Sequence, residues 1–136
     1  MNYKLLLTMV ALAMLSACSD EDTPDPTIDD RDKFIGKWSC AETIGSSSST
    51  FDIFISSYGE SDSLQIANFS HYGISAVALG LVSGKSIVIP NQQIGVTLIT
   101  VQGSGLYFTQ GANEKMNLNY TSDGQSATAV CTKVPN

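Results

Sequence analysis

Glu114-Lys115-Met116-Asn117-Leu118-Asn119-Tyr120-Thr121 alternates apolar and polar side chains. Met116, Leu118 and Tyr120 fall on one face, with Lys115, Asn117 and Asn119 on the other. Successive side chains of a strand point to opposite sides, so this period of two marks a half-buried strand of an antiparallel sheet. Phe51, Ile53 and Ile55 repeat the pattern. Outward from these stretches, short apolar runs recur between turn signals such as Ser83-Gly84-Lys85 and Asp123-Gly124, and no segment carries a helical period. Eight strands are predicted, over 36–44, 50–57, 63–70, 74–82, 86–90, 95–109, 114–121 and 126–134. The sixth is expected to bend at Gly103-Ser104-Gly105. Many short strands at this spacing argue for an all-β sandwich or barrel, and the short connections make consecutive strands pair as a meander.

The residues before this domain have a different character. Residues 1–4 carry one positive charge, 5–15 are apolar, and Ser16-Ala17 are small. This is the order of a signal peptide, and the apolar stretch is shorter than the ~20 residues a membrane-spanning helix needs. Leu15-Ser16-Ala17-Cys18 resembles the lipobox of bacterial lipoproteins. The resemblance implies cleavage before Cys18, acylation of its thiol and new amino terminus, and permanent membrane attachment. Ser19 in the following position points to the outer membrane of a Gram-negative cell, on its periplasmic face or the cell surface. Residues 18–33 then form an acidic tether. It holds Asp20, Glu21, Asp22, Asp25, Asp29, Asp30 and Asp32 with Pro24 and Pro26 and little that could be buried. Ser19-Asp20-Glu21-Asp22 also resembles an acidic surface-export tag; a plain solvated spacer is the alternative.

The tether explains the charge of the whole chain, −6. From residue 33 onward five lysines (Lys33, Lys37, Lys85, Lys115, Lys133) stand against six acids (Glu42, Asp52, Glu60, Asp62, Glu114, Asp123). There is no basic stripe, which argues against nucleic acid as a partner.

Phe34-Ile35-Gly36-Lys37-Trp38 resembles the first motif of lipocalins and other calycins, in which Gly-x-Trp opens the first strand and the tryptophan plugs the closed end of a barrel. The family also packs an Arg or Lys near the last strand across that tryptophan, and Lys133 matches by position. The chain departs from lipocalins in its short length, in lacking a Thr-Asp-Tyr motif and in lacking a terminal helix. The resemblance implies an eight-stranded antiparallel up-and-down barrel over 34–136. With Cys18 assigned to lipid, Cys40 and Cys131 remain, and the oxidising compartment implied by the lipobox invites a disulfide. If the first and last strands pair with Cys40 opposite Cys131, Trp38 falls opposite Lys133. One register then serves both contacts.

On this topology the connections at 45–49, 70–73, 91–94 and 122–125 lie at the open end. The Gly45-Ser46-Ser47-Ser48-Ser49 run is expected to form a flexible lip, and His71, Tyr72, Asn91, Gln92 and Gln93 to form a polar rim. A barrel of this size is filled by its own side chains or holds one small ligand. No catalytic constellation, cofactor motif or metal-ligand spacing is present. Glu42 and Asp52 lie on neighbouring strands, but the sequence does not place them in one pocket. Gly103-Ser104-Gly105 is no phosphate loop, since no helix follows it. Asp62-Ser63-Leu64 matches a short O-glycosylation pattern. The expectation is a non-enzymatic lipoprotein, anchored through Cys18, whose barrel binds a small apolar or amphipathic ligand. The alternatives are a protein-binding module, such as an inhibitor of a secreted protease, and a structural or adhesive surface component.

Overall fold

The computed structural model describes residues 29–59 and 61–136. Cys18, the signal peptide read over 1–17 and the tether as far as residue 28 lie outside the described residues. Eight strands follow in order: β1 (Gly36–Ile44), β2 (Ser47–Ser57), β3 (Ser63–Ala67), β4 (Val77–Ser83), β5 (Ser86–Ile94), β6 (Ile99–Gln110), β7 (Asn113–Ser122) and β8 (Gln125–Lys133). Each pairs antiparallel with the next, and β8 pairs with β1, so the sheet closes into an up-and-down barrel. This is the all-β, eight-stranded meander expected from the alternation and the short connections.

The closing seam has the register that follows from the cysteines. Cys40 lies opposite Cys131 and Trp38 opposite Lys133. The Cys40–Cys131 disulfide is formed, bridging residues 91 apart in sequence. Alternation fills the lumen: Trp38, Cys40 and Glu42 point inward from β1, Phe51, Ile53 and Ile55 from β2, Met116, Leu118 and Tyr120 from β7, and Ala127, Ala129 and Cys131 from β8. On β6 the inward positions include Gly103 and Gly105. A Cβ on Gly103 would lie 2.4 Å from both the Asn119 carbonyl oxygen and Tyr120 Cβ. Glycine is needed there for close approach of β7.

Several expectations are corrected. The Gly45–Ser49 lip does not form: Ser47, Ser48 and Ser49 pair with Ile44, Thr43 and Glu42, which leaves a two-residue turn. β3 ends at Ala67 and β4 starts only at Val77, and the residues between them cross the open end as a 3-10 turn, Phe69–His71, with flanking turns. β6 begins at Ile99 because residues 95–98 form the turn expected at 91–94. The ladder irregularity lies on β5, between Ile89 and Gln92, rather than at Gly103-Ser104-Gly105. Pro90, which has no N–H to give a ladder, occupies that bulge.

Candidate functional site

The two ends of the barrel differ in chemistry. The closed end is a plug. The Trp38 indole N–H donates to the Phe34 carbonyl at 2.7 Å, and both side chains are fully buried. Tyr107 meets both rings edge-on, at 5.9 Å from Phe34 and 6.4 Å from Trp38. Its hydroxyl donates to Glu114 at 2.8 Å, and burial, followed by Glu114, raises its pKa. Lys133 Nζ sits 5.7 Å from the centre of the Trp38 ring and donates to the Lys33 carbonyl at 3.0 Å. Residues 29–35 form turns over this end, tied by the Arg31–Asp29 and Lys33–Asp30 ion pairs. With these groups mutually satisfied, the closed end holds the barrel together and has nothing left to offer a ligand.

The open end is covered by residues 68–76. Asn68 anchors the cover: its Nδ2 donates to the Asp52 carbonyl at 2.7 Å and its Oδ1 accepts from the Gly73 N–H at 2.8 Å. Phe69 is buried, with its ring 4.7 Å from that of Tyr120. His71 stacks flat on Phe51 at 5.0 Å. The Tyr72 hydroxyl lies 3.5 Å from Ser122 Oγ, although the ring remains about half exposed. Asn68, Ser70 and His71 all adopt positive φ, at 60°, 53° and 62°. Left-handed non-glycine residues cost roughly 1–3 kcal/mol each and gather at ligand clamps and switch regions.

Three polar atoms beneath or within this cover are buried without a hydrogen-bond partner: Glu42 Oε1, Ser70 Oγ and the Tyr120 hydroxyl. Their residues are 5%, 7% and 4% exposed. The other Glu42 oxygen has only a long contact, 3.5 Å, with Ser49 Oγ. Burial raises the Glu42 pKa above the usual carboxylate value, against the opposing effects of the Ser49 hydrogen bond and the His71 charge. On the strand between Glu42 and Tyr120, the inward residues are Ala129, level with Glu42, and Ala127, level with Tyr120. Both end at Cβ and add no bulk.

The predicted polar rim is only partly assembled. His71 and Tyr72 belong to the cover. Asn91, Gln92 and Gln93 lie in β5 after the bulge, on the outer wall. Gln92 completes the wall: its amide accepts from the Leu79 N–H and donates to the Leu79 carbonyl, both at 2.8 Å, where β4 and β5 no longer pair. Asn91 reaches only Gln102 on the next strand, at 3.3 Å. Glu42 and Asp52 are separated by the sheet itself, since Asp52 points outward to Lys37 at 2.9 Å. An open outer groove of about 640 Å³ runs past Pro90, Asn91, Gln102 and Asn119. Its lining includes Tyr120 but neither Glu42 nor Ser70. Sequence reasoning missed Ser70 and Tyr120 as site groups. The available signal was Glu42, which shares the inward face with Trp38 and Cys40 by alternation.

Among the described residues no group of three His, Cys, Asp or Glu side chains could hold a metal ion, and no helix is long and apolar enough to cross a membrane. Comparison with protein-family models, with characterised proteins and with solved structures finds no match to this chain.

Proposed function

We propose that this chain is an extracytoplasmic lipoprotein, anchored to the outer membrane through acylated Cys18, whose barrel takes a small apolar or amphipathic molecule at its open end without transforming it. The open end carries the proposal. Exposed apolar side chains sit at its loop tips, with Tyr72 and Ile74 on one connection and Val96 and Leu98 on the next. Val96 is 89% exposed and Ile74 71%, where loop tips are ordinarily polar. Among the described residues no lysine or arginine lies there: Arg31, Lys33, Lys37, Lys85, Lys115 and Lys133 all belong to the closed end or its turns. An apolar rim without lysine or arginine, whose acid Asp123 accepts from the Thr100 N–H, above buried polar groups suits a molecule with an apolar body and a small polar head.

The test is native mass spectrometry and a crystal structure of the protein purified from its own host. A small molecule retained in the spectrum, with density at the open end, is the expected result. A solid interior, with no added mass and no binding of aliphatic probes, would overturn the ligand reading. The anchor is tested separately. Cys18→Ala should abolish incorporation of labelled palmitate and release the protein from the membrane fraction, and retention of label would refute that assignment.

A further inference from the structure

We propose that Glu42, Ser70 and Tyr120 form a polar subsite for the ammonium head of a small amphipathic amine, reached from the mouth when the Phe69–His71 turn lifts. The inference rests on the ligand-binding reading above and names the class of ligand.

The argument begins with hydrogen-bond accounting. Buried polar atoms in folded proteins are almost always paired, because an unpaired one forfeits its hydration with no return. Here three unpaired atoms lie in one region, on three separate elements: β1, the covering turn and β7. By strand spacing, the Glu42 and Tyr120 backbones are roughly 11 Å apart across β8. The inward side chains between them on β8 are the two alanines, so that strand sets no bulky group between glutamate and tyrosine. Ser70 is brought to the same place by its neighbours. Phe69 packs on Tyr120, and His71 stacks on Phe51, two residues along β2 from the Ser49 that touches Glu42.

The composition of the cluster then selects the ligand. A carboxylate can only accept hydrogen bonds, whereas hydroxyls accept or donate. Among the described residues Glu42 has no cationic side chain within ion-pair distance, although each lysine of the closed end except Lys85 and Lys115 has a carboxylate partner. His71, the sole basic group on the cover, is exposed and engaged with Phe51. A head group with several N–H donors and a positive charge would satisfy Glu42 Oε1 and both hydroxyl oxygens together. A fatty acid would set a second carboxylate beside Glu42, and an alcohol would satisfy one atom and leave the others bare. Phe51, Phe69 and the Tyr120 ring supply apolar and π surface around such a cation. The exposed Tyr72, Ile74, Val96 and Leu98 extend that apolar surface outward for the tail.

The cover has the properties that admission requires. Three left-handed residues within four positions, Asn68, Ser70 and His71, rather than a regular strand, span the mouth. Release of that strain offsets part of the cost of lifting the turn.

Calorimetric titration of the full chain with n-octylamine, 1-octanol and octanoate at neutral pH tests the subsite. Octylamine should bind more tightly than octanol by roughly 10- to 100-fold, the worth of a charge-assisted hydrogen bond, and octanoate weakest. Glu42→Gln keeps the shape and should lose most of the amine preference, bringing the ratio of amine to octanol affinity toward one. Tyr120→Phe and Ser70→Ala should each reduce amine affinity several-fold. These two variants carry the test should the Glu42 variant fail to fold. Equal affinity for amine and alcohol, or an amine affinity indifferent to all three substitutions, would refute the subsite and leave a purely apolar ligand. In that case the three atoms are satisfied by ordered water only. Failure of all three probes to bind would take down the ligand reading and the subsite together.

Discussion

Reduction of the Cys40–Cys131 disulfide should remove most of the stability of this barrel while leaving its fold recognisable. The bridge joins residues 91 apart, close to the two ends of the domain, so in the unfolded chain it closes nearly the longest loop available. In the chain-entropy treatment, a loop of that length is worth about 4.6 kcal/mol at room temperature. A small domain has only ~5–15 kcal/mol to lose. Native contacts should change little, because both cysteines are fully buried and their strands are held in register by pairs running from Trp38–Lys133 to Ile44–Ala127. The free-energy loss should therefore appear on the unfolded side. Urea unfolding followed by Trp38 fluorescence, with and without reductant, measures it. The midpoint should fall sharply, and the slope of free energy against denaturant should steepen, since an uncrosslinked denatured chain exposes more surface. A loss below about 1 kcal/mol with an unchanged slope would refute the reasoning. It would mean that the denatured chain keeps its ends together without the bridge.

Three further outcomes are expected. Gly103→Ala should destabilise by about 3 kcal/mol or more, because its Cβ would meet backbone and Cβ atoms at 2.4 Å, whereas Gly111→Ala, with nothing within 4 Å but a φ of +60°, should cost only about 1–2 kcal/mol; thermal unfolding of the pair separates steric from conformational cost, and equal losses would contradict it. Gln92→Ala removes both side-chain bonds to the Leu79 backbone and should cost about 1 kcal/mol and speed hydrogen exchange at Leu79 by roughly fivefold; exchange unaltered there would show that β4 and β5 do not need the bridge. The folded pKa of Glu42 lies above its unfolded value, so the native state holds its proton longer and stability falls as pH rises through the window between the two; Glu42→Gln should lack that decline and gain on the wild type across the window, and parallel stability–pH profiles would refute the burial of this carboxyl.

What the sequence disclosed and what it hid follow from the range of the interactions involved. The strands were legible from alternation because burial on one face repeats every second residue, as at Met116, Leu118 and Tyr120. Closure was legible because two cysteines fix a register, and a register fixes every other pair on that seam. The serine run at 46–49 misled because local polarity suggests a solvated loop, while strand pairing is decided by the partner: Glu42, Thr43 and Ile44 supply a ladder whatever side chains face them. The cover was illegible for a related reason. Ile74-Ser75-Ala76 has the composition of a strand. What takes it out of the sheet is Asn68, whose side chain binds a carbonyl on β2 and an N–H beyond the turn. Gln92 looked like a rim residue because glutamine is polar, and only the gap between β4 and β5 reveals its bonding. The burial of Glu42 was implicit in alternation from Cys40. The unpaired state of its carboxyl depends on Ala127 and Ala129 of a distant strand, which no local pattern can announce.

The placement of charge links the proposed anchor to the proposed site. The chain enters the barrel at its closed end, where residues 29–35 fold over Trp38, and every lysine and arginine of the described residues is gathered at that end or its turns. Four of those six cations are paired with carboxylates, so the end is charged but nearly balanced. The mouth, which carries no lysine or arginine among the described residues, lies at the opposite end of strands that run the length of the barrel. If Cys18 holds the protein to a membrane, the acidic stretch between it and residue 29 joins at the closed end and reaches at most about 40 Å. Attachment at the closed end lets the mouth face away from the anchoring leaflet. In that orientation a ligand comes as a monomer from the aqueous side, a route open to short amphiphiles with a charged head. Water-insoluble lipids would have to be delivered by a partner docked on the apolar rim. The amine subsite and attachment at the closed end are thus compatible with the same class of molecule, the first argued from unpaired atoms inside the mouth and the second from the end at which the chain enters.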